Sequence, residues 1–197
     1  MKFEQLRPLI LASGSPRRRE YFERYALEFR IEKSEIPEVP DLKESPRDFA
    51  VRLALEKGKD VWERTQPRLG ELLVSADTIV ILDGEIIGKP AGPEAVLPML
   101  KRLNGQVHQV LTAYALSDDS GQEVHCSLTE VRFGLHPIEM LSAYAATTEP
   151  LDKAGSYSIQ GVGSFLVQEI HGSYNNVVGL PMERLLPDLI KHKVIRP

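Results

Sequence analysis

The stretch "LILASGSPRRRE", residues 9–20, constrains the fold more than any other: a short apolar run passes through two serines and a glycine into proline and three arginines. A continuous apolar run closed by small polar residues reads as a buried strand. Pro16 then stands where a first helical residue tolerates proline, and Ser15 where a helix cap is expected, so a helix opens over "PRRREYFERYAL". Strand, tight turn and helix in immediate succession call for an α/β layer.

The rest of the chain adds helices and hairpins. "FRIEKSEIPEVP" reads as a second strand that ends in an acidic, proline-marked loop. "SPRDFAVRLALEKGKDVWER" is the longest helix, begun by Ser45 or Pro46, with Phe49, Leu53 and Val61 on one buried face. "ELLVSADTIVILDGEIIGKP" centres on Asp-Gly, which predicts that Leu73 to Leu82 and Glu85 to Gly88 are antiparallel neighbours. "GPEAVLPMLKRLNG" reads as a helix kinked at Pro98 and closed by Asn104 and Gly105. Two long strands, "QVHQVLTAYALSD" and "EVHCSLTEVRFG", meet at "DSGQ"; "PIEMLSAYAATTEP" and "PMERLLPDLIKHK" are helices, and "YSIQGVGSFLVQEIHGSYNNVVG" is mostly strand and turn. There is no internal repeat. Hairpins beside a strand-to-helix turn predict a mixed sheet.

At 197 residues, 42% hydrophobic and 26% charged, the chain suits one domain with a real core. A net charge of -4 argues against a surface that coats nucleic acid, so the arginines after Ser15 are a local feature. Cys126 is the single cysteine, which excludes an intramolecular disulfide and a cysteine-based metal site. The N-terminal apolar run lies beside Glu4 and Arg7 and is too brief for a signal peptide or a membrane span. A soluble cytoplasmic protein is expected.

Three arginines at a helix N-terminus oppose the helix dipole, at ~0.3–1 kcal/mol each where exposed. A bound polyphosphate would offset that cost, since helix N-termini already favour anions; a solvated helix face is the alternative. No Gly-Lys-Ser/Thr follows Gly14, so this is not a Walker A loop. Asp77 interrupts an apolar strand, where a carboxylate needs a partner or a metal. Glu35 and Glu38 could reach it from a loop, and hard oxygen donors suit Mg2+ or Mn2+. Lys57 and Lys89 join the candidates if the fold brings them close. In "EPLDKAGSYSIQG", Asp152, Lys153, Gly155, Gln160 and Gly161 form a weaker group, in which Gln160 offers both donor and acceptor to a base edge. A serine hydrolase is disfavoured, because no G-x-S-x-G occurs and the histidines show no triad signature. Ser13 and Ser15 read as phosphate or cap hydroxyls.

Taken together, "LASGSPRRRE", "LALEKG", "SADTIVILDGEIIGKP", "LDKAGSYSIQG" and "GSYNNVVGLP" resemble the Maf-like nucleotide pyrophosphatases, over nearly the whole of a single domain, residues 1–197. The resemblance implies an α/β fold whose mixed, strongly bent central sheet is flanked by helices, two lobes with a deep cleft, and a homodimer. It implies hydrolysis of a nucleoside triphosphate to monophosphate and diphosphate with a divalent metal, Mg2+, Mn2+ or Co2+. On matching positions it implies Asp77 as proton acceptor, Ser13, Arg17, Arg18, Lys57 and Lys89 as phosphate ligands, and Glu38 with Asp77 at the metal. Arg17, Thr78 and Gln160 fall where the family chooses its base, and "SPRR" with "SIQG" looks like the branch acting on dTTP and UTP. The sister branch, acting on 7-methyl-GTP, usually carries an aromatic residue after the proline and an acidic one near position 160. Pro37 and Gly58 depart from the commoner aspartate and alanine, and Arg19 matches no motif position. Proteins of this family are also associated with arrest of cell division and septum formation, so a nucleotide-sensing regulator is the competing class.

Overall fold

In the computed structural model, which describes residues 3–41 and 43–197, strand β1 (Glu4–Gln5) leads into β2 (Leu9–Ala12), every residue of which is buried. Helix α1 (Pro16–Arg24) follows with Pro16 in its first turn. Ser15 stands at the cap position, but its hydroxyl makes no capping bond; its backbone N–H donates instead to Ser13 Oγ at 3.2 Å. The helix stops before the expected Leu27, where Ala26 takes a φ of 53°. Strand β3 (Phe29–Ile31) is only three residues long and pairs in parallel with β2, Leu9 opposite Phe29. Parallel strands joined through a helix are the βα unit that the opening motif calls for.

Helix α2 (Pro46–Thr65) is capped by Ser45, whose hydroxyl accepts the Asp48 N–H at 3.1 Å. Phe49, Leu53 and Val61 are buried on it as expected. Strand β4 (Leu72–Leu82) runs parallel to β2 and turns through Asp83 and Gly84 into antiparallel β5 (Glu85–Ile87). Both turn residues have positive φ, 52° and 82°, as the tight hairpin turn of Asp-Gly requires. Helix α3 (Pro93–Leu103) passes through Pro98 and closes at Asn104, with Gly105 at φ 70°. Strands β6 (Val107–Asp118) and β7 (Gly121–Phe133) flank a two-residue turn, followed by helix α4 (Ile138–Ala145).

The segment from Tyr157 to Gly179 departs from the strand-and-turn expectation. A 3-10 turn occupies Val162–Leu166, and only Val167–His171 forms a strand, β8. A short helix, α5 (Tyr174–Val178), precedes α6 (Met182–Lys191) and strand β9 (Ile195–Arg196). Side chains rather than a neighbouring strand take the backbone N–H groups of Ser158, Val162 and Gly163. A strand ladder is therefore not needed there.

Among the described residues seven strands form one mixed sheet in the order β3-β2-β4-β6-β7-β8, with β5 on β4. A second, two-stranded sheet pairs β1 with β9 antiparallel, Glu4 opposite Arg196. Two-residue strands carry no periodicity, so this pairing has no sequence signal. The chain divides into two compact units, the first comprising residues 1–77, 112–127 and 179–197 and the second 78–111 and 128–178. Ile10, Ala12, Val61 and Leu73 form a core in the first, and Val80, Leu100, Phe133, Tyr144 and Leu166 belong to a larger one in the second. No helix among the described residues is long and apolar enough to cross a membrane.

Candidate active site

Asp77 lies on β4 with 6% of its surface exposed, and its Oδ1 accepts a hydrogen bond from Lys57 Nζ at 2.7 Å. The same ammonium donates to Glu38 Oε1 at 2.5 Å, so one lysine joins two carboxylates. Lys57 reaches this position because it stands in the row Phe49, Leu53, Lys57, Val61 on α2, where residues four apart share a face. That face packs on β2 and β4 through Val61, Ile10 and Leu73. Lys57 is thus a largely buried cation, and a lysine within an apolar i, i+4 row is the sequence signal that marks it. Glu35 is exposed, and its backbone N–H binds Asp60 Oδ2 at 3.1 Å; of the two loop glutamates, Glu38 is the one paired with Lys57.

The arginines of the opening motif separate into different environments. Arg18 is buried, and its guanidinium donates to Gly179 O at 2.8 Å, to Ala76 O at 2.8 Å and to Ser13 Oγ at 3.2 Å. It braces the end of β2 against the residue preceding Asp77. Burial pushes its pKa down to about 10, with Asp77 opposing that shift and Arg17 adding to it, and it remains a cation at neutral pH. Arg17 is half-buried. Arg19 is exposed and pairs with Glu23 at 2.7 Å, as a solvated neighbour should. Ser13 is buried, its hydroxyl oxygen accepting from the Ser15 N–H and from Arg18.

This first unit therefore assembles Ser13, Arg18, Glu38, Lys57 and Asp77, a cationic frame around a buried carboxylate. Among the described residues no group of three or more His, Cys, Asp and Glu side chains is placed to hold an ion. Asp77 and Glu38 are two hard oxygen donors meeting on one ammonium, which is what Mg2+ or Mn2+ takes from a protein when substrate phosphates supply the remaining ligands. The donor set fits such a cation.

The chain matches the family model described as Maf-like protein over residues 8–192. The chain belongs to the Maf-like family. This Maf-like chain is 44% identical to the dTTP/UTP pyrophosphatase of Desulfotalea psychrophila over 96% of both chains. It is 43% identical to the dTTP/UTP pyrophosphatase of Geobacter metallireducens, over 92% of its own length and 94% of the relative's. The solved structure of the nucleoside-triphosphatase / dITP/XTP pyrophosphatase of Mycobacterium abscessus overlays it at a TM-score of 0.45 with 17% identity over 95% of each chain, too loosely for anything to be carried across.

The second unit of the Maf-like chain holds the remaining sequence candidates. Thr78 is half-buried, and Lys89 and Gln160 are exposed. The Gly155 N–H donates to Gly88 O at 3.0 Å, which stitches the hairpin end bearing Lys89 to the segment bearing Gln160. Glu149, which is absent from the residues expected from sequence, organises that segment by accepting the Val162 and Gly163 N–H groups. Its signal is its place at the head of a glycine-rich run.

A cavity of about 390 Å³ lies where β2 and β3 begin, lined by Gln5, Arg7, Glu28, Arg30 and Glu71 among others. Its arginines are engaged: Arg30 forks onto both Glu71 oxygens at 3.2 Å, and Arg7 binds Gly70 O and Asp118. The charge there is internally neutralised, whereas Asp77 stands midway along β4, just beyond the last pair with β2, Ala12 opposite Ser75.

Proposed function

We propose that this Maf-like protein is a cytoplasmic nucleoside triphosphate pyrophosphatase that hydrolyses dTTP and UTP to the monophosphate and diphosphate. The observation that carries the reading is the buried Asp77 carboxylate held by Lys57 between the Glu38 loop and the Arg18 brace. The name shared by the relatives, dTTP/UTP pyrophosphatase, supports the pyrimidine branch.

In this reading the Asp77 carboxylate accepts a proton from water as its oxygen bonds to the α-phosphorus. The bond from that phosphorus to the bridging oxygen breaks, and diphosphate leaves. Lys57 fixes the orientation of the Asp77 carboxylate through Oδ1. Ser13, Arg17, Arg18, Lys57 and Lys89 grip the phosphates, and Arg18, already fixed by carbonyls, contributes charge without having to reorganise. Asp77 and Glu38 would hold a divalent cation, Mg2+, Mn2+ or Co2+, whose charge offsets that of the phosphates. Arg17, Thr78 and Gln160 select the base, and the homodimer that the resemblance implies belongs to the same reading.

The test is diphosphate release from dTTP, UTP, CTP, 7-methyl-GTP and ITP with Mn2+. Release from dTTP and UTP above the others is expected, and preference for 7-methyl-GTP would move the chain to the sister branch. Asp77→Asn should lower kcat by ~10²–10⁴-fold while nucleotide still binds, the range of a general base. Near-normal turnover would overturn the assignment of Asp77. Binding without release from any nucleotide would favour the regulatory reading.

A further inference from the structure

Glu149 begins a 3-10 turn, Glu149–Asp152, and its carboxylate reaches well beyond that turn. The Val162 N–H donates to Oε2 at 2.9 Å, and the Gly163 N–H donates to Oε1 at 2.9 Å. The Tyr144 hydroxyl donates to Oε1, also at 2.9 Å, while its oxygen accepts the Ser158 N–H at 3.2 Å. Glu149 and Tyr144 thus grip the chain on both sides of Gln160: Ser158 before it, Val162 and Gly163 after it. The Gln160 N–H adds a bond to Ser158 Oγ at 3.3 Å, and its side chain is exposed.

The glycines on either side of Val162 follow from this grip. A Cβ at Gly161 would collide with the Glu149 carboxylate, and one at Gly163 with the Tyr144 hydroxyl. Only hydrogen side chains let the two anchors approach the backbone so closely. The anchor is itself fixed, since Lys153 Nζ donates to Glu149 O at 2.7 Å. Burial works against the charged form of Glu149, but the Gly163 N–H, the Tyr144 hydroxyl and the Val162 N–H outweigh it and hold the carboxyl below its usual range. The Tyr144 hydroxyl is pushed up, first by burial and then by its bond to Glu149, so it stays a donor at neutral pH.

We propose that Glu149, with Tyr144, is the positioning residue of base selection: it fixes segment 158–163 so that Gln160 meets the base in one geometry. This rests on the reading of Gln160 as a base reader. A run with two glycines in six residues would otherwise lose backbone freedom when nucleotide binds, and that loss would weaken binding. Ordering it beforehand removes that cost from binding.

The experiment compares wild type, Glu149→Gln and Tyr144→Phe by kcat and KM for dTTP, CTP and GTP, by inhibition with inorganic diphosphate, and by Tm. A glutamine can set its single oxygen either at the position shared by the Gly163 N–H and the Tyr144 hydroxyl or at the position facing the Val162 N–H, and its NH2 then meets a donor at the other, so the segment loses at least one of its three bonds. The dTTP-to-GTP ratio of kcat/KM should fall about tenfold in Glu149→Gln, the loss of one well-placed base hydrogen bond, mainly through KM. Tyr144→Phe should lower the ratio in the same direction by a smaller factor. Inhibition by diphosphate, which has no base, should not change. If Glu149→Gln yields no folded protein, Tyr144→Phe decides. An unchanged ratio in the folded variants, or an equal loss for all three nucleotides accompanied by a lower Tm, would make Glu149 merely structural. A wild type with no base preference would overturn the reading of Gln160 together with this proposal, whereas a selective wild type with equally selective variants overturns the proposal alone.

Discussion

Lys57 donates to two carboxylates from a largely buried position, and its removal leaves Asp77 and Glu38 facing one another without their cation. Lys57→Met should lower kcat/KM for dTTP by roughly 10²-fold or more, the loss of a preorganised charge. It should also lower stability by about 3 kcal/mol, because a buried charge stripped of its partner is costly. Urea denaturation checks the second effect, and combining Lys57→Met with Asp77→Asn should recover much of it. A different buried group contributes to the loss of stability in mild acid. His108 is 1% exposed, its Nε2 lies 2.8 Å from Tyr157 Oη, and burial pushes its pKa from 6.5 down to about 4. The unfolded chain takes up this proton before the folded one does. The contribution of His108 is therefore complete above pH 6.5 and is lost as pH falls toward 4, about 3 kcal/mol at 1.36 kcal/mol per unit. His108→Gln keeps a partner for Tyr157 without titrating; its stability should fall less steeply than wild type over that window, as read from Tm against pH.

Helix α2 shows how a strong element is adapted to its surroundings. Gly58 stands in its interior, where alanine would gain about 1 kcal/mol in helix propensity. A Cβ there would come within 2.8 Å of Ser75 Oγ and 3.0 Å of both Ser117 Oγ and Gln122 Nε2. Ser75 cannot yield easily, since it is fully buried and donates to Ala54 O at 2.7 Å. The departure from alanine that the sequence shows at this position thus has a packing reason. Gly58→Ala should lower stability by ~1 kcal/mol net, overpacking of ~1–3 kcal/mol outweighing propensity, measured as the urea midpoint. Helix α1 shows the same adaptation at its start. The arginines that oppose its dipole are tolerated because Arg18 finds carbonyl acceptors in Ala76 and Gly179, while Arg19 pairs one turn on with Glu23.

In the first unit the two ends of the chain close on each other. β1 pairs with β9, Leu6 N–H donates to Val194 O at 2.7 Å, and Arg7 donates to His192 O at 3.0 Å. Ile195 is 1% exposed, so Ile195→Ala should cost about 2–4 kcal/mol in urea unfolding even though β9 is only two residues long. The strand-to-helix turn at Ser13 to Arg17, the Asp-Gly hairpin and the Ser45 cap were legible because each depends on the backbone preferences of adjacent residues. The chemistry of the site was legible at the level of residue type, since a carboxylate inside an apolar strand and arginines at a helix start both demand partners. Which partners they take was not. Lys57 meets Asp77 and Glu38 from a separate helix, Arg18 turns to carbonyls 58 and 161 residues away, and Glu149 crosses 13 and 14 residues to hold the chain beside Gln160. Local pattern records only what neighbours along the chain prefer. Contacts between distant residues depend on how strands and helices pack, and no period in the sequence encodes them.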